Sequence, residues 1–229
     1  MKVSLLNEIF YSNCAVCQTE IFSLDYLCNK CFEKEIKFVE NRCNRCGYPL
    51  EVNTLFCRNC LNDNHFNKIY VLCWYSGILR KIIKNIKFNY SIKQKFIIEK
   101  IVLQNISKFD LKSYDLITPA PVHIYRRLIR FIQVSEMVGN LLSKYLKVPY
   151  SNILKKKKYT DFQWKQKRDS RFTNIRNSIV CKKDVFGLNI LLVDDIITSG
   201  ATINECAKVL KKGGAKNVDC FLLAKGHFR

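Results

Sequence analysis

The chain has 229 residues, 48% of them hydrophobic, which is enough for one substantial core and a small appended module. No run of about 18 apolar residues occurs, which argues against a transmembrane helix. The first residues, MKVSLLNEIFYSN, lack the apolar stretch and the cleavage site of a signal peptide. We therefore expect a cytoplasmic protein, and in that compartment twelve cysteines argue against a disulfide scaffold.

The formal net charge of +20 is unevenly distributed along the chain. Residues 1–70 contain 8 basic and 8 acidic side chains, so the whole excess lies in residues 71–229. Residues 155–183 alone contain 11 basic and 2 acidic side chains. An excess this local predicts a polyanionic partner, such as nucleic acid or a phosphate-rich substrate. Compositional drift is the alternative, because 28 of the 39 basic residues are lysines in a chain also rich in Ile and Asn.

Eight of the cysteines, all before residue 61, form a duplicated unit. The pattern C-x2-C-x10-C-x2-C occurs twice with a period of 29 residues. Each C-x2-C turn directs two thiolates at one metal ion, and two turns complete a tetrahedral zinc site without an open position. We expect two structural zinc ions, with a redox or iron–sulfur role as the alternative. The period favours two sequential sites and leaves interleaved ligation open. The sequential ligand sets are Cys14, Cys17, Cys28 and Cys31, followed by Cys43, Cys46, Cys57 and Cys60.

A polar stretch at residues 62–69 marks a boundary that divides the chain into residues 1–68 and 69–229. His65 in this stretch is interpreted as a solvated linker residue. Strands and helices alternate after the boundary, which predicts an α/β domain with a mostly parallel sheet flanked by helices. The predicted strands are 68–75, 114–118, 150–154, 190–193 and 218–224, and the predicted helices are 77–88, 92–109, 133–147 and 202–212.

The first of these helices is amphipathic, and its basic side chains are expected on a solvated outer face. These side chains are Arg80, Lys81, Lys84 and Lys87. The four cysteines outside the duplicated unit, in apolar or helical contexts, are interpreted as ordinary buried thiols. They are Cys73, Cys181, Cys206 and Cys220.

The stretch ILLVDDIITSGAT, residues 190–202, combines a buried strand with a small, hydroxylated loop. In open α/β sheets, ligands bind at the carboxyl ends of the strands, where Asp194 and Asp195 are expected. The backbone amides of residues 198–202 and the start of the next helix form an anion site. Neighbouring residues on a strand point in opposite directions, so we do not expect the two aspartates to share a proton. A sugar phosphate satisfies both parts, with phosphate on the loop and hydroxyl groups on the carboxylates.

This stretch resembles the signature of type I phosphoribosyltransferases, and the chain as a whole resembles the ComF competence proteins. That family joins a double zinc ribbon, here residues 1–68, to a type I phosphoribosyltransferase-like domain, here residues 69–229. The similarity extends to YSGILRKIIKNIKF at 75–88, PAPVH at 119–123 and GAKNV at 214–218. The chain departs from the family at 129–133, IRFIQ, where the family's Arg-Gly-Phe-Asn-Gln retains only its Phe and Gln.

The resemblance implies a Mg²⁺-dependent site for phosphoribosyl pyrophosphate. Asp194 and Asp195 would bind the ribose hydroxyls and act in any catalysis. The remaining ligand-binding residues are the loop Thr198, Ser199, Gly200, Ala201 and Thr202 and the turn Pro119, Ala120 and Pro121. Basic residues near the turn, Arg126 and Arg127, or those at 155–171, would neutralise the pyrophosphate, and His123 is interpreted as structural.

The resemblance also implies a protein that receives single-stranded DNA during natural transformation. Basic residues interleaved with Phe162, Trp164 and Phe172 suit a backbone groove with stacking platforms, although core packing explains the aromatic residues equally well. The expected nucleic-acid residues are Arg126, Arg127, Arg130, Lys156, Lys157, Lys158, Lys165, Arg168 and Arg171. The alternatives are an active phosphoribosyltransferase with an unknown acceptor, and a zinc-bearing adaptor that contacts an uptake helicase or recombination mediator proteins.

Overall fold

The structure is a computed structural model that describes most of the chain. The described residues are 11–22, 26–43, 46–50, 57, 64–89, 92–111, 113–122, 124–130, 132–156 and 178–226. Several residues singled out in the sequence lie outside this part, as does the side chain of Arg126. These residues are Cys60, His123, Phe131, Lys157, Lys158, Phe162, Trp164, Lys165, Arg168, Arg171 and Phe172.

Strands and helices are interspersed after residue 68. The strands are β1 (Tyr11–Asn13), β2 (Glu20–Phe22), β3 (Ile69–Trp74), β4 (Leu116–Pro119), β5 (Leu154–Lys156), β6 (Ile179–Cys181), β7 (Asn189–Ile197) and β8 (Asn217–Lys225). The helices are α1 (Asn29–Glu35), α2 (Gly77–Asn89), α3 (Ile92–Leu103), α4 (Ile124–Ile129), α5 (Val134–Leu146) and α6 (Ala201–Lys212), with a 3₁₀ turn at Ile106–Lys108.

The central sheet has the order β3-β8-β7-β4, and its neighbouring strands are parallel. This confirms the predicted α/β fold. The pairs β1–β2 and β5–β6 are antiparallel and separate from that sheet. The prediction of a strand at 150–154 was wrong in its position. Tyr150 makes only an isolated parallel bridge to Ile117, and β5 begins at Leu154.

The two faces of the central sheet bury two different apolar clusters. Alternate residues of one strand divide between them, as the pleat requires. Leu191 and Val193 belong to the cluster that includes α2, α3 and α5, whereas Ile190 and Leu192 belong to the cluster that includes α6. Each cluster also contains cysteines of one of the two N-terminal units.

The N-terminal region packs along the edge strand β3. The amide of Val39 donates to the carbonyl of Leu72 at 3.0 Å, and the amide of Trp74 donates to the carbonyl of Lys37 at 2.8 Å. The guanidinium of Arg42 donates to the carbonyl of Val71 at 2.7 Å. Main-chain hydrogen bonds therefore cover this edge of the sheet. None of the helices in the described ranges has the length and apolar character that a membrane span requires.

Candidate functional site

The acidic pair lies in the carboxyl-terminal part of β7, between strands β4 and β8. The sequence predicted that this strand would end at Val193, but pairing with β8 continues to Ile197, opposite Lys225. The strand is longer because its ladder depends on main-chain groups, which Asp194 and Asp195 supply as well as apolar residues do. Both aspartates are half-buried, in contrast to the fully buried residues before them.

The loop after β7 turns directly into α6. Gly200 has φ +78°, a left-handed conformation that favours glycine, and it occupies the N-cap of the helix. As the N-cap, glycine provides no side-chain acceptor, and the first turn of α6 contains no acidic residue. The hydroxyl of Ser199 accepts a long hydrogen bond from the amide of Ala201, at 3.4 Å. The start of α6 is therefore suited to an anion that would accept from its amides.

A cavity of about 340 Å³ lies at these strand ends. It brings together parts of the chain that are distant in sequence, namely the residue after β3, α2, the turn after β4, residue 130, β5, β7, the loop before α6 and the first turn of α6. The lining residues are Tyr75, Lys87, Ala120, Pro121, Val122, Arg130, Lys156, Asp194, Asp195, Ile196, Thr198 and Thr202. Two carboxylates and three cationic side chains thus share one cavity.

Lys87 forms an ion pair with Asp195 inside this cavity. The prediction that Lys87 lies on a solvated outer face was wrong, because this residue is only 7% exposed. Arg80, Lys81 and Lys84 are exposed as predicted. A signal was present in the sequence, since Lys87 follows the buried Ile83 by four residues and so continues the apolar stripe of α2.

Asp194 lies in a different electrostatic setting from Asp195. Burial, reinforced by the neighbouring charge of Asp195, raises the pKa of Asp194 to about 7. Its carboxylate accepts a hydrogen bond of 2.8 Å from the amide of Asp195, while Lys87 and Lys156 oppose the rise. The carboxylate of Asp194 therefore accepts from a backbone amide, whereas that of Asp195 pairs with Lys87. They nevertheless line one cavity and influence each other.

Two residues expected to contact nucleic acid, Arg130 and Lys156, line the cavity beside the acidic pair. The Nε atom of Arg130 is buried and has no hydrogen-bond partner among the described residues. Buried donors in native structures normally have partners, so this atom is an unsatisfied donor within the described part of the chain. Arg127, by contrast, is directed to Glu136, with 3.2 Å between its Nη2 and Oε1.

Comparisons with known proteins agree with this arrangement. Residues 134–228 match the phosphoribosyl transferase domain family, and residues 5–61 match the double zinc ribbon domain family. Competence protein F of Haemophilus influenzae is 28% identical over 95% of this chain and 99% of its own. The chain is a homologue of competence protein F and ComFC.

Other relatives extend the comparison. Competence protein ComFC of Bacillus subtilis is 23% identical over 87% of this chain and 84% of its own. DNA utilization protein YhgH of Salmonella typhimurium is 23% identical over 87% of this chain and 90% of its own. Among solved structures, glutamine phosphoribosylpyrophosphate amidotransferase from B. subtilis aligns with a TM-score of 0.42 and 18% identity. That alignment covers 62% of this chain and 30% of the amidotransferase chain.

Some of the predicted ligand-binding residues shape the cavity without lining it. Pro119 is buried at the end of β4, and Ala120 and Pro121 provide the wall. Thr198 and Thr202 also line the cavity. Ser199, Gly200 and Ala201 form the turn between them and are not among the lining residues. Tyr75 is a cavity residue that the sequence analysis missed, because it follows a buried strand whose pattern carries no functional signal.

The cysteines of each N-terminal unit gather into a sequential cluster. The first consists of Cys14, Cys17, Cys28 and Cys31, and the described part of the second consists of Cys43, Cys46 and Cys57, with ligand atoms within 4.8 Å of one another. The duplication extends to hydrogen bonds. The amide of Cys28 donates to the thiol sulfur of Cys14 at 3.4 Å, and the amide of Cys57 donates to Cys43 at 3.3 Å. Both clusters are compatible with structural zinc.

The acidic pair offers fewer ligands than a resident metal site. Among the described residues, only the cysteine clusters bring together three or more metal-ligating side chains. Mg²⁺ is commonly held by one or two carboxylates together with substrate oxygens. Asp194 and Asp195 therefore fit a magnesium ion whose coordination is completed by a bound phosphate ester, and such an ion would neutralise charge on a pyrophosphate group.

Proposed function

We propose that the chain binds phosphoribosyl pyrophosphate in this cavity and single-stranded DNA on its basic surface, as a cytoplasmic protein of DNA uptake. The observation that carries the first part is the cavity itself, which joins Asp194 and Asp195 to three cations and to the loop before α6. A ligand with hydroxyl groups in its middle and phosphates at both ends satisfies all three features.

Each part of the ligand has a complementary group. The amides at the start of α6 and the hydroxyls of Thr198 and Thr202 suit the 5′-phosphate. The carboxylates accept hydrogen bonds from ribose hydroxyls. Arg130 and Lys156, which line the cavity, are cationic side chains that suit the pyrophosphate.

The binding proposal is tested by calorimetric titration of phosphoribosyl pyrophosphate, with magnesium, into the zinc-loaded full chain. We expect the double variant Asp194→Asn, Asp195→Asn to lose at least about tenfold in affinity, since two hydrogen-bonded carboxylates are removed. The control is Glu33→Gln, Glu40→Gln, which removes two exposed carboxylates outside the cavity. A wild-type chain that does not bind the ligand would contradict the proposal.

The DNA part of the proposal is supported by the excess of 31 basic over 11 acidic residues in 71–229. The names of the relatives, which refer to competence and DNA utilization, agree with it. Affinity for a single-stranded oligonucleotide should fall steeply between about 50 and 200 mM salt, because each neutralised phosphate releases a counterion. An affinity that is insensitive to salt would mean that the charge excess does not bind phosphates.

Phosphoribosyl transfer is a second candidate, favoured by the pKa of about 7 of Asp194. A carboxylate with this pKa exchanges a proton readily near neutral pH, as a general base for an acceptor must. The protein's contribution would otherwise be positioning and electrostatic stabilisation of the departing pyrophosphate. Release of pyrophosphate that depends on an added base, amine or nucleic-acid acceptor would establish transfer, and binding without such release would leave the chain a ligand-binding protein.

A further inference from the structure

The second cysteine cluster shares its core with the residues that flank the phosphate loop, defined as residues 198–202. Cys43, Cys46 and Cys57 are buried in the same apolar cluster as Ile197, the last residue of β7, and Ile203, in the first turn of α6. The phosphate loop is thus flanked by two residues, Ile197 and Ile203, that both pack in this core. A change in the packing of the second cluster would therefore alter the packing of the residues on both sides of the loop.

A buried lysine lies between the cluster and the loop. Lys225, the last residue of β8, is 1% exposed and is the register partner of Ile197. Its ammonium lies 5.5 Å from the ring centroids of both Tyr48 and Trp74. It also donates to the carbonyl of Gly226 at 3.2 Å, while the amide of Gly226 donates to the carbonyl of Ile197 at 2.8 Å. The position of this lysine is therefore linked to the end of β7.

Tyr48 connects this lysine to the metal-binding turn, since it follows Cys46 by two residues. Its hydroxyl donates to the carbonyl of Thr198, the first residue of the phosphate loop, over 3.5 Å. That hydrogen bond is long, so most of the contact comes from the ring against the ammonium of Lys225. Tyr48 thus touches the loop and the lysine that is linked to β7.

The turn that carries Tyr48 is itself fixed to the sheet. The amide of Ile69 donates to the carbonyl of Cys46 at 2.7 Å. Gly47 adopts φ +77°, and a Cβ atom built there would lie 2.4 Å from the carbonyl oxygen of Ile69. Only glycine allows this approach. The turn therefore has little freedom to move without moving Tyr48.

A second contact reaches the loop from the segment that follows the cluster. The amide of His65 donates to the side chain of Asn204 at 2.8 Å, and the amide of Asn204 donates to the carbonyl of Gly200 at 2.9 Å. His65 was predicted to be a solvated linker residue. The structure instead makes it half-buried and bound to α6, because Phe66 beside it is anchored in the core.

We propose that the second cysteine cluster, acting through the positioning residues Tyr48 and Lys225, sets the conformation of the phosphate loop. Metal occupancy of this cluster and ligand binding at the cavity are then coupled, and the coupling is reciprocal: bound ligand slows metal loss by the same interactions through which bound metal favours the ligand. The identity of the ligand as phosphoribosyl pyrophosphate rests on the proposed function. The control of the loop does not.

The test uses the zinc-loaded full chain and hydrogen–deuterium exchange of the amides of residues 198–202. Lys225→Met removes the ammonium and keeps the length of the side chain, and Tyr48→Leu removes the ring. The matched controls are Lys212→Met and Tyr145→Leu, which change exposed residues on α6 and α5. We expect amide exchange in the loop to accelerate about tenfold in Lys225→Met and in Tyr48→Leu, and to stay at the wild-type rate in the two controls.

A second measurement tests reciprocity, which a purely structural role would not produce. Zinc release to a chromogenic chelator is followed with and without phosphoribosyl pyrophosphate. The ligand should slow the release of one of two zinc ions several-fold in the wild-type chain and lose this effect in Lys225→Met, which removes the ammonium that the Tyr48 ring contacts. Equal loop exchange in Lys225→Met and Lys212→Met would overturn the proposal. Failure of the wild-type chain to bind the ligand would overturn the proposed function alone, and the exchange result would still decide control of the loop.

Discussion

The two cysteine clusters have the same sequence pattern but lie against opposite faces of one sheet. The first packs with the helices α2 and α3, where the ammonium of Lys100 donates to the carbonyl of Leu27, the residue before Cys28, at 3.2 Å. The second packs with α6 and the end of β7, beside the candidate ligand site. The two copies of the duplicated cysteine unit thus pack against different helices, so we expect the same substitution in each copy to affect a different part of the molecule.

The largest effect should come from removing one ligand of each cluster. Cys31→Ser and Cys46→Ser each remove one buried cysteine from a cluster that is compatible with zinc, and we expect each to lower the free energy of unfolding by at least about 3 kcal/mol, since metal binding contributes to folding directly. Exchange should increase in α3 for Cys31→Ser and around Ile203 for Cys46→Ser. Thermal unfolding and hydrogen exchange measure both. Cys181→Ser, outside the clusters, is the control, and identical exchange maps for the two cluster variants would contradict the comparison.

A smaller effect should follow Lys87→Met, because α2 packs on the face of the first cluster yet sends this side chain into the cavity. The variant leaves the carboxylate of Asp195 without its cationic partner, at a cost of about 2 kcal/mol, less than for a fully buried pair because the cavity admits water. Chemical denaturation measures this loss against Lys84→Met, an exposed lysine on the same helix.

A double-mutant cycle isolates the ion pair. In an Asp195→Asn background, Lys87→Met should lower the free energy of unfolding by less than it does in the wild-type chain, because the charge that Lys87 neutralises is gone. Equal costs in the two backgrounds would mean that Lys87 acts through packing alone.

Gly47→Ala tests how closely the second cluster is seated on β3. The added Cβ would meet the carbonyl oxygen of Ile69 at 2.4 Å, in a backbone conformation of φ +77°. Gly187→Ala is a matched control, since Gly187 has φ +75° but nothing within 4 Å of the added atom. Both variants incur conformational strain of about 1 kcal/mol. Denaturation should show a further loss of about 1 kcal/mol or more for Gly47→Ala alone, owing to the forced displacement of the turn.

The smallest predicted effect concerns pH. The pKa of Asp194 rises from 3.8 to about 7 on folding, so the folded chain holds the proton more tightly than the unfolded chain. This group therefore contributes a stability that is present below pH 3.8, declines as pH rises towards 7, and is lost above that value. Asp194→Asn should stabilise the chain by about 1 kcal/mol at pH 8, less than the full pKa shift implies because solvent screens the half-buried carboxylate, and have little effect near pH 4. A stabilisation that does not change with pH, measured beside the exposed Asp184→Asn, would show that the carboxylate is not desolvated.

The sequence predicted most of the fold because apolar periodicity follows directly from burial. The helix at 133–147 and the strand at 218–224 were found within one or two residues of their true ends. The short helix α4 was missed, since Tyr125 and Leu128 are exposed and give it no buried stripe. The acidic pair and the loop were local in sequence and were recognised together. The position of Lys87 on the apolar stripe of α2 was a local signal of burial, but its meeting with Tyr75 in one cavity depends on packing between elements that are distant in sequence.

The main-chain bonds from residues 37–39 to β3 have a consequence for the handling of the protein. An uncovered edge strand offers a row of unpaired amides and carbonyls, which is a template for pairing with another chain. The sequence IYVLCW of β3 is apolar and carries no charge of its own to discourage such pairing. Residues 37–39, which cover this edge, lie between the two cysteine clusters. Removal of bound metal by a chelator would therefore be expected to expose the edge of β3 as well as to destabilise the fold. We therefore expect a metal bound at these clusters to protect the chain against aggregation.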